Sequence, residues 1–107
     1  MTSATYHILV ALMDGPKHGY AISQAVAELT DSRVRIGPGT LYGALQRLLD
    51  ESLVEERTPA RPVKDDDERR RYYRLTRQGR QALAVEARRL RSMLDMAVAK
   101  GIFQAES

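Results

Sequence analysis

Cysteine is absent from this chain, which removes disulfide frames, thiolate zinc sites and thiol redox switches and fits a reducing cytosol. Tryptophan is absent too, and histidine occurs only at His7 and His18. Two histidines among scattered carboxylates, without HxxxH or HxxE spacing, offer no metal site. No Ser-His-Asp set, phosphate-cradling glycine loop or cofactor motif occurs, so neither an enzyme nor a cofactor is expected. Long hydrophobic runs are missing as well. The apolar stretch 5–13 is too short to cross a bilayer, and it has no basic leader or cleavage site. A cytoplasmic protein without a membrane partner is the expectation.

What is there is charge, unevenly placed. The 107 residues, enough for one domain with a single core, carry 17 basic and 14 acidic side chains, a net charge of +3. Between positions 69 and 91 nine arginines face a single acid, Glu86, whereas acids gather at 50–56 and 65–68. A basic stretch beside an otherwise balanced chain points to a polyanionic partner on one side of the molecule.

The segment 37–48, Gly-Pro-Gly-Thr-Leu-Tyr-Gly-Ala-Leu-Gln-Arg-Leu, has the pattern of a helix that enters DNA. Pro38 suits the first turn, where a missing N–H costs nothing. Leu41, Leu45 and Leu48 recur at helical spacing as one apolar stripe. Thr40, Tyr42, Gly43, Gln46 and Arg47 turn away from it, small or donor-bearing residues suited to phosphates and base edges. Tyr42 and Arg47 are expected opposite the leucines.

Around this helix the chain reads as a small winged unit. A first helix over 3–13 has one stripe of Tyr6, Leu9, Val10 and Met13 and a second of Ile8 and Leu12, so it should lie between two layers. Gly15 and Pro16 stop it. A second helix opens at Lys17 or His18 and buries Ile22, Ala25, Val26 and Leu29. Residues 30–32 break it, and the alternating 34–36 reads as a short strand. Two helices joined by a short connection, the second with a polar reading face, make a helix-turn-helix. Strands over 53–58 and 71–75 follow, with Tyr73 and Leu75 facing the core and Tyr72 and Arg74 facing out. Residues 59–70 between them form a solvated hairpin tip, the wing. Thr76 is a good helix N-cap, although Gly79 stands where a capping box would want Glu or Gln.

The last helix, 77–100, repeats Leu83, Ala87, Leu90, Leu94 and Ala97 in steps of four and three, as a coiled-coil seam does. With the core complete by Leu75, that seam needs a second chain. The fold class is therefore mainly α: a winged helix-turn-helix over 1–75 with a long C-terminal dimerisation helix over 76–107.

The motifs Gly15-Pro-Lys-His-Gly-Tyr-Ala-Ile22, Gly37-Pro-Gly-Thr-Leu-Tyr-Gly-Ala-Leu45 and Arg69-Arg-Arg-Tyr-Tyr-Arg-Leu-Thr-Arg-Gln-Gly79 resemble those of PadR-type transcriptional regulators, in the same order and over residues 5 to about 100. The resemblance implies a homodimer that binds an inverted-repeat operator in double-stranded DNA and usually represses. A single C-terminal helix is similar to the short branch of that family, some members of which bind flat aromatic drugs between subunits through a tryptophan this chain lacks.

The candidate DNA contacts are Thr40, Tyr42, Gln46 and Arg47 on the reading helix, and His18 and Tyr20 at the start of the preceding one, where free N–H groups favour a phosphate. His18 has the alternative of simply capping its helix, and Tyr20 that of facing the core. Lys64, Arg69 and Arg70 are the candidates on the wing. Arg71 and Arg74 have Glu55 and Glu56 as neighbouring partners. Tyr6, Val10, Met13, Met93 and Met96 either simply fill the dimer interface, the favoured reading, or line an apolar pocket in it for a small hydrophobic or phenolic effector, since methionine adapts to varied apolar surfaces. The rival function is a winged-helix adaptor that binds protein rather than DNA.

Overall fold

A computed structural model describes residues 1–57 and 71–104. The wing tip, with Lys64, Arg69 and Arg70, lies outside the described residues. The elements run α1 (Ser3–Ala11), β1 (Lys17–His18), α2 (Gly19–Leu29), α3 (Pro38–Asp50), β2 (Val54–Arg57), β3 (Tyr72–Leu75) and α4 (Arg77–Ala99).

Helix α1 begins at a Thr2 cap, whose hydroxyl accepts from the Thr5 amide at 3.1 Å, and ends two residues earlier than its periodicity predicts. Ile8, Leu9, Ala11 and Leu12 are its buried face, with Tyr6 and Val10 half-buried. The second stripe, Ile8 and Leu12, thus lies on the deepest side. α2, α3 and α4 all pack against this helix, which makes it the centre of the core. Met13 lies beyond the helix end, where the 3.6-residue period no longer holds, and is exposed.

Helix α2 buries Ile22 and Val26, but Leu29, expected inside, is 60% exposed. It occupies the last position of the helix, where the chain turns away. Asp31 and Ser32 take positive φ of 51° and 62°. The Ser32 amide donates to the Ala27 carbonyl at 2.7 Å, the six-to-one bond of a Schellman stop. The same stop ends α3, where Ser52 has φ 61° and the Leu53 amide donates to Leu48 at 2.9 Å. It ends α4 as well, at Gly101 with φ 76°.

The strand expected over 34–36 does not form. Val34 and Ile36 do turn inward and Arg33 and Arg35 outward, so the alternation is real. The segment runs beside α2, where the Ser23 hydroxyl donates to the Ile36 carbonyl at 3.3 Å. It therefore meets a helix rather than a sheet edge. The third strand is instead β1, which pairs antiparallel with β3 (Lys17 opposite Tyr73, His18 opposite Tyr72). β2 pairs with the other edge of β3 (Val54 opposite Leu75), giving the order β1-β3-β2. Tyr73 and Leu75 are buried as the alternation requires.

Helix α4 is fastened to this body at its start. The Thr76 hydroxyl accepts from the Gly79 amide at 2.9 Å and donates to the Ser52 carbonyl at 2.6 Å. A Cβ on Gly79 would overlap the Leu53 carbonyl oxygen and stand 3.0 Å from its carbon. Close packing, not capping, therefore decides the residue at that position. Leu83, expected in the dimer seam, is 7% exposed and belongs to the protomer's own core, which is thus not complete at Leu75. Past Glu86 the helix leaves the body, and the molecule measures 55 × 28 × 25 Å.

Candidate nucleic-acid interface

Helix α3 is held by Leu41, Ala44, Leu45 and Leu48, all buried. Gly37 caps it without a side-chain bond, and Pro38 opens the first turn. Thr40, Tyr42, Gly43, Gln46 and Arg47 are all exposed, as predicted. Their disposition differs from the expectation in one respect. At roughly 100° per residue, Tyr42 and Arg47 are about 140° apart around the axis. They therefore flank the outward face rather than share its middle, which holds Gly39, Gly43, Gln46 and Asp50. Gln46 donates to the Asp50 carboxylate at 3.0 Å. An acid at the end of this face favours the N-terminal half of α3 as the part that approaches a polyanion.

The two flanks have different neighbours. Tyr42 leans onto the start of α2: a Cβ on Gly19 would stand 2.9 Å from Tyr42 Cζ and closer to its hydroxyl. Arg47 borders a cleft of about 480 Å³ between α1, α3 and α4, together with Thr2, Thr5, Leu48, Glu51, Leu53, Val85 and Glu86. In that cleft wall, Glu86 is nearly buried and is held by Arg89 through two bonds of 2.6 and 3.0 Å. The Arg89 hydrogen bond draws the Glu86 carboxyl below its ordinary pKa against the opposing effect of burial, and Glu86 correspondingly raises Arg89.

At the start of α2, His18 does what its alternative reading held. Its Nδ1 accepts from the Ala21 amide at 3.2 Å, and its ring meets Tyr72 edge-to-face at 5.6 Å. Tyr20 is 68% exposed, so the core-facing alternative does not hold for it. Tyr73 has its phenol pKa raised, first by burial and then by the charge of Glu56. Arg71 and Arg74 bind Glu56 and Glu55 across the β2–β3 ladder, the pairing expected from sequence. β1 and the seat of Tyr42 were the features that sequence reasoning missed. A two-residue strand has no period, though Gly19 beside His18 and Tyr20 was a visible clue to close approach.

The remaining candidates are divided between two places. Val10 and Met13 line a groove of about 420 Å³ between α1 and α2, with Ala25 and Leu29, and Tyr6 is half-buried nearby on α1. Met93 and Met96 are exposed on distal α4, as are Ala87, Leu90 and Leu94, while Ala97 is half-buried. Among the described residues no helix is long and apolar enough to cross a membrane.

The profile of the Transcriptional regulator PadR-like family matches residues 8–85. The chain belongs to this family. Its members are regulators of transcription, and the mainly helical body with a three-stranded sheet is their winged-helix fold. Transcriptional regulator Rv3488 of Mycobacterium tuberculosis is 39% identical over 88 residues, 81% of this chain and 75% of that one. An uncharacterised 37.1 kDa transposon protein of Streptomyces fradiae is 45% identical over 80 residues, 75% of this chain but only 21% of its own length. A PadR family regulator of Clostridium difficile superimposes with TM-score 0.77 at 25% identity, covering 90% of this chain and 95% of that one. PadR of Bacillus subtilis, solved with operator DNA, superimposes with TM-score 0.68 at 27% identity over 80% of this chain and 47% of that one.

Proposed function

We propose that this PadR-family regulator is a cytoplasmic, ligand-responsive repressor that binds an inverted-repeat operator as a homodimer. The observation that carries the reading is the outward face of α3. It is exposed, rich in donors and small residues, and backed by four buried apolar side chains. The operator complex of the Bacillus subtilis relative supports the same role for the equivalent fold. Tyr42 enters the groove from the N-terminal half of α3, with Thr40 and Gln46 as further contacts, while Arg47, nearer the Asp50 end, and Tyr20 reach the backbone, and His18 orders the start of α2. Lys64, Arg69 and Arg70 of the wing add phosphate contacts.

Two such heads in a symmetric dimer must be about 34–36 Å apart, or a multiple of this, to meet successive major grooves. The distal α4 seam of Ala87, Leu90, Leu94 and Ala97 sets that distance. A small hydrophobic or phenolic molecule held between subunits, with Tyr6, Val10 and Met13 of one protomer facing Met93 and Met96 of the partner subunit, lowers operator affinity to the degree that it prefers a misaligned dimer. Titrating a duplex that the protein selects from random-sequence DNA, at two salt concentrations, tests the DNA reading. Contacts to about 6–10 phosphates should lower affinity roughly 10³–10⁵-fold between 50 and 200 mM salt. Failure to enrich any sequence, with weak and salt-insensitive binding, would favour a protein-binding adaptor.

A further inference from the structure

Gly19 occupies the first position of α2 and is buried, although it carries no side chain to bury. What covers it is Tyr42 from α3. A Cβ at Gly19 would meet the Tyr42 hydroxyl, Cζ at 2.9 Å and Cε1 at 3.2 Å, distances that real Cβ atoms avoid or rarely reach. The floor of this seat is fixed from three sides. His18 pairs with Tyr72 in the sheet, its ring abuts Tyr72, and its Nδ1 caps α2 through Ala21. Tyr42 itself is 52% exposed. One edge of the ring thus rests on backbone while the rest stays open to a ligand.

We propose that Gly19 is a positioning residue for DNA discrimination: it is the seat that holds the Tyr42 phenol against the start of α2 before DNA arrives. The inference rests on α3 being the reading helix. Fixing a long side chain in its bound rotamer in advance lowers the ordering cost of association. Any side chain at position 19 pushes the phenol out of the seat. Since Tyr42 is half-exposed, it can swing into solvent without disturbing the core, so the fold survives and the aim is lost.

The test is a double-mutant cycle of Gly19→Ala and Tyr42→Ala. Each variant is titrated with the selected duplex and with a scrambled duplex of equal composition, and each is melted. Gly19→Ala in the parent is expected to weaken selected DNA about tenfold, the scale of one lost specific contact, with a much smaller effect on scrambled DNA. In the Tyr42→Ala background the same change should cost nothing further. Melting temperatures should not fall, because the displaced phenol moves into solvent and no core contact is lost. Equal losses in both backgrounds, or an unchanged Gly19→Ala, would overturn the proposal. A nuclear Overhauser contact between the Gly19 Hα protons and the Tyr42 ring should be present in the free parent. Its absence would refute the seat even if the protein selected no DNA, a result that by itself would sink only the reading of α3. If Gly19→Ala proves unstable, restored stability in the double variant supports the seat, and persistent instability refutes it.

Discussion

Gly79 lies in the first turn of α4 and Gly43 inside α3, and replacing each with alanine should have opposite effects. Alanine at an ordinary helix position gains about 0.8–1 kcal/mol over glycine. At Gly43 nothing lies within 4 Å of the new Cβ, so that gain should appear nearly whole. At Gly79 the Cβ would press on the Leu53 carbonyl and come within 3.1 Å of Leu75 Cδ2. Overpacking of this kind typically costs about 1–3 kcal/mol. The Leu53 carbonyl also accepts from the Thr76 amide at 3.1 Å. If Leu53 retreats, a bond of about 1 kcal/mol weakens as well. Even after subtracting that gain in full, which a first-turn position does not exceed, Gly79→Ala should be destabilised by about 1–3 kcal/mol. In a domain close to this size that lowers the melting temperature by roughly 4–8 °C for each kcal/mol. Urea and thermal unfolding of the two variants beside the parent provide the measurement. Equal or greater stability for Gly79→Ala would mean that α4 does not close on the α3–β2 turn as described.

Leu90→Asp and Leu94→Asp together should yield monomers or insoluble protein without operator binding, because a charge would be buried without a partner; a fully dimeric variant in analytical ultracentrifugation would remove the seam from the interface. The lowered Glu86 pKa means that its pairing with Arg89 stabilises the fold above about pH 4.5, its ordinary value, and ceases to do so as pH falls through the depressed one. The stability difference between the parent and Glu86→Gln in acid titration should accordingly shrink below that pH, and a pH-independent difference would contradict it. Arg47→Ala is expected to weaken selected and scrambled duplexes alike, since a guanidinium on the flank of α3 suits the backbone; a loss confined to the selected duplex would put it in the groove.

The readable parts of this chain were those whose cause is local. Pro38 after Gly37, the spacing of Leu41, Leu45 and Leu48, and the alternation of Tyr73 and Leu75 each follow from the geometry of one element. The misread parts depend on neighbours. Val34 and Ile36 alternate as a strand does but adjoin α2 instead of an edge. Leu29 and Met13 continue a helical stripe to the point where the helix itself stops. Leu83 shares an unbroken four-three spacing with Leu90 and Leu94, and nothing in that repeat marks where the protomer's own core ends. The seat of Tyr42 pairs residues 19 and 42, on separate helices, and needs the fold to appear.

The position of Leu83 has a mechanical consequence for the proposed switch. A seam that began at the first turn of α4 would let the whole helix slide on the body when a ligand wedged between subunits. Instead the first two turns are clamped through Thr76 to Ser52, Gly79 to Leu53 and Leu83 to the core. Ser52 and Leu53 are the residues that end α3, so α4 is rooted in the turn that terminates the reading helix. From Leu83 to Leu94 the helix extends about 16 Å at 1.5 Å per residue. In the proposed switch, a tilt imposed on the distal half would therefore be carried to α3 as rotation of one unit rather than absorbed by a hinge between domains. An effector at the seam then needs no path through the core to displace the reading head. It needs only a preference for one tilt of α4 over another, and loosening the root by Gly79→Ala should reduce how strongly that preference is felt at the DNA.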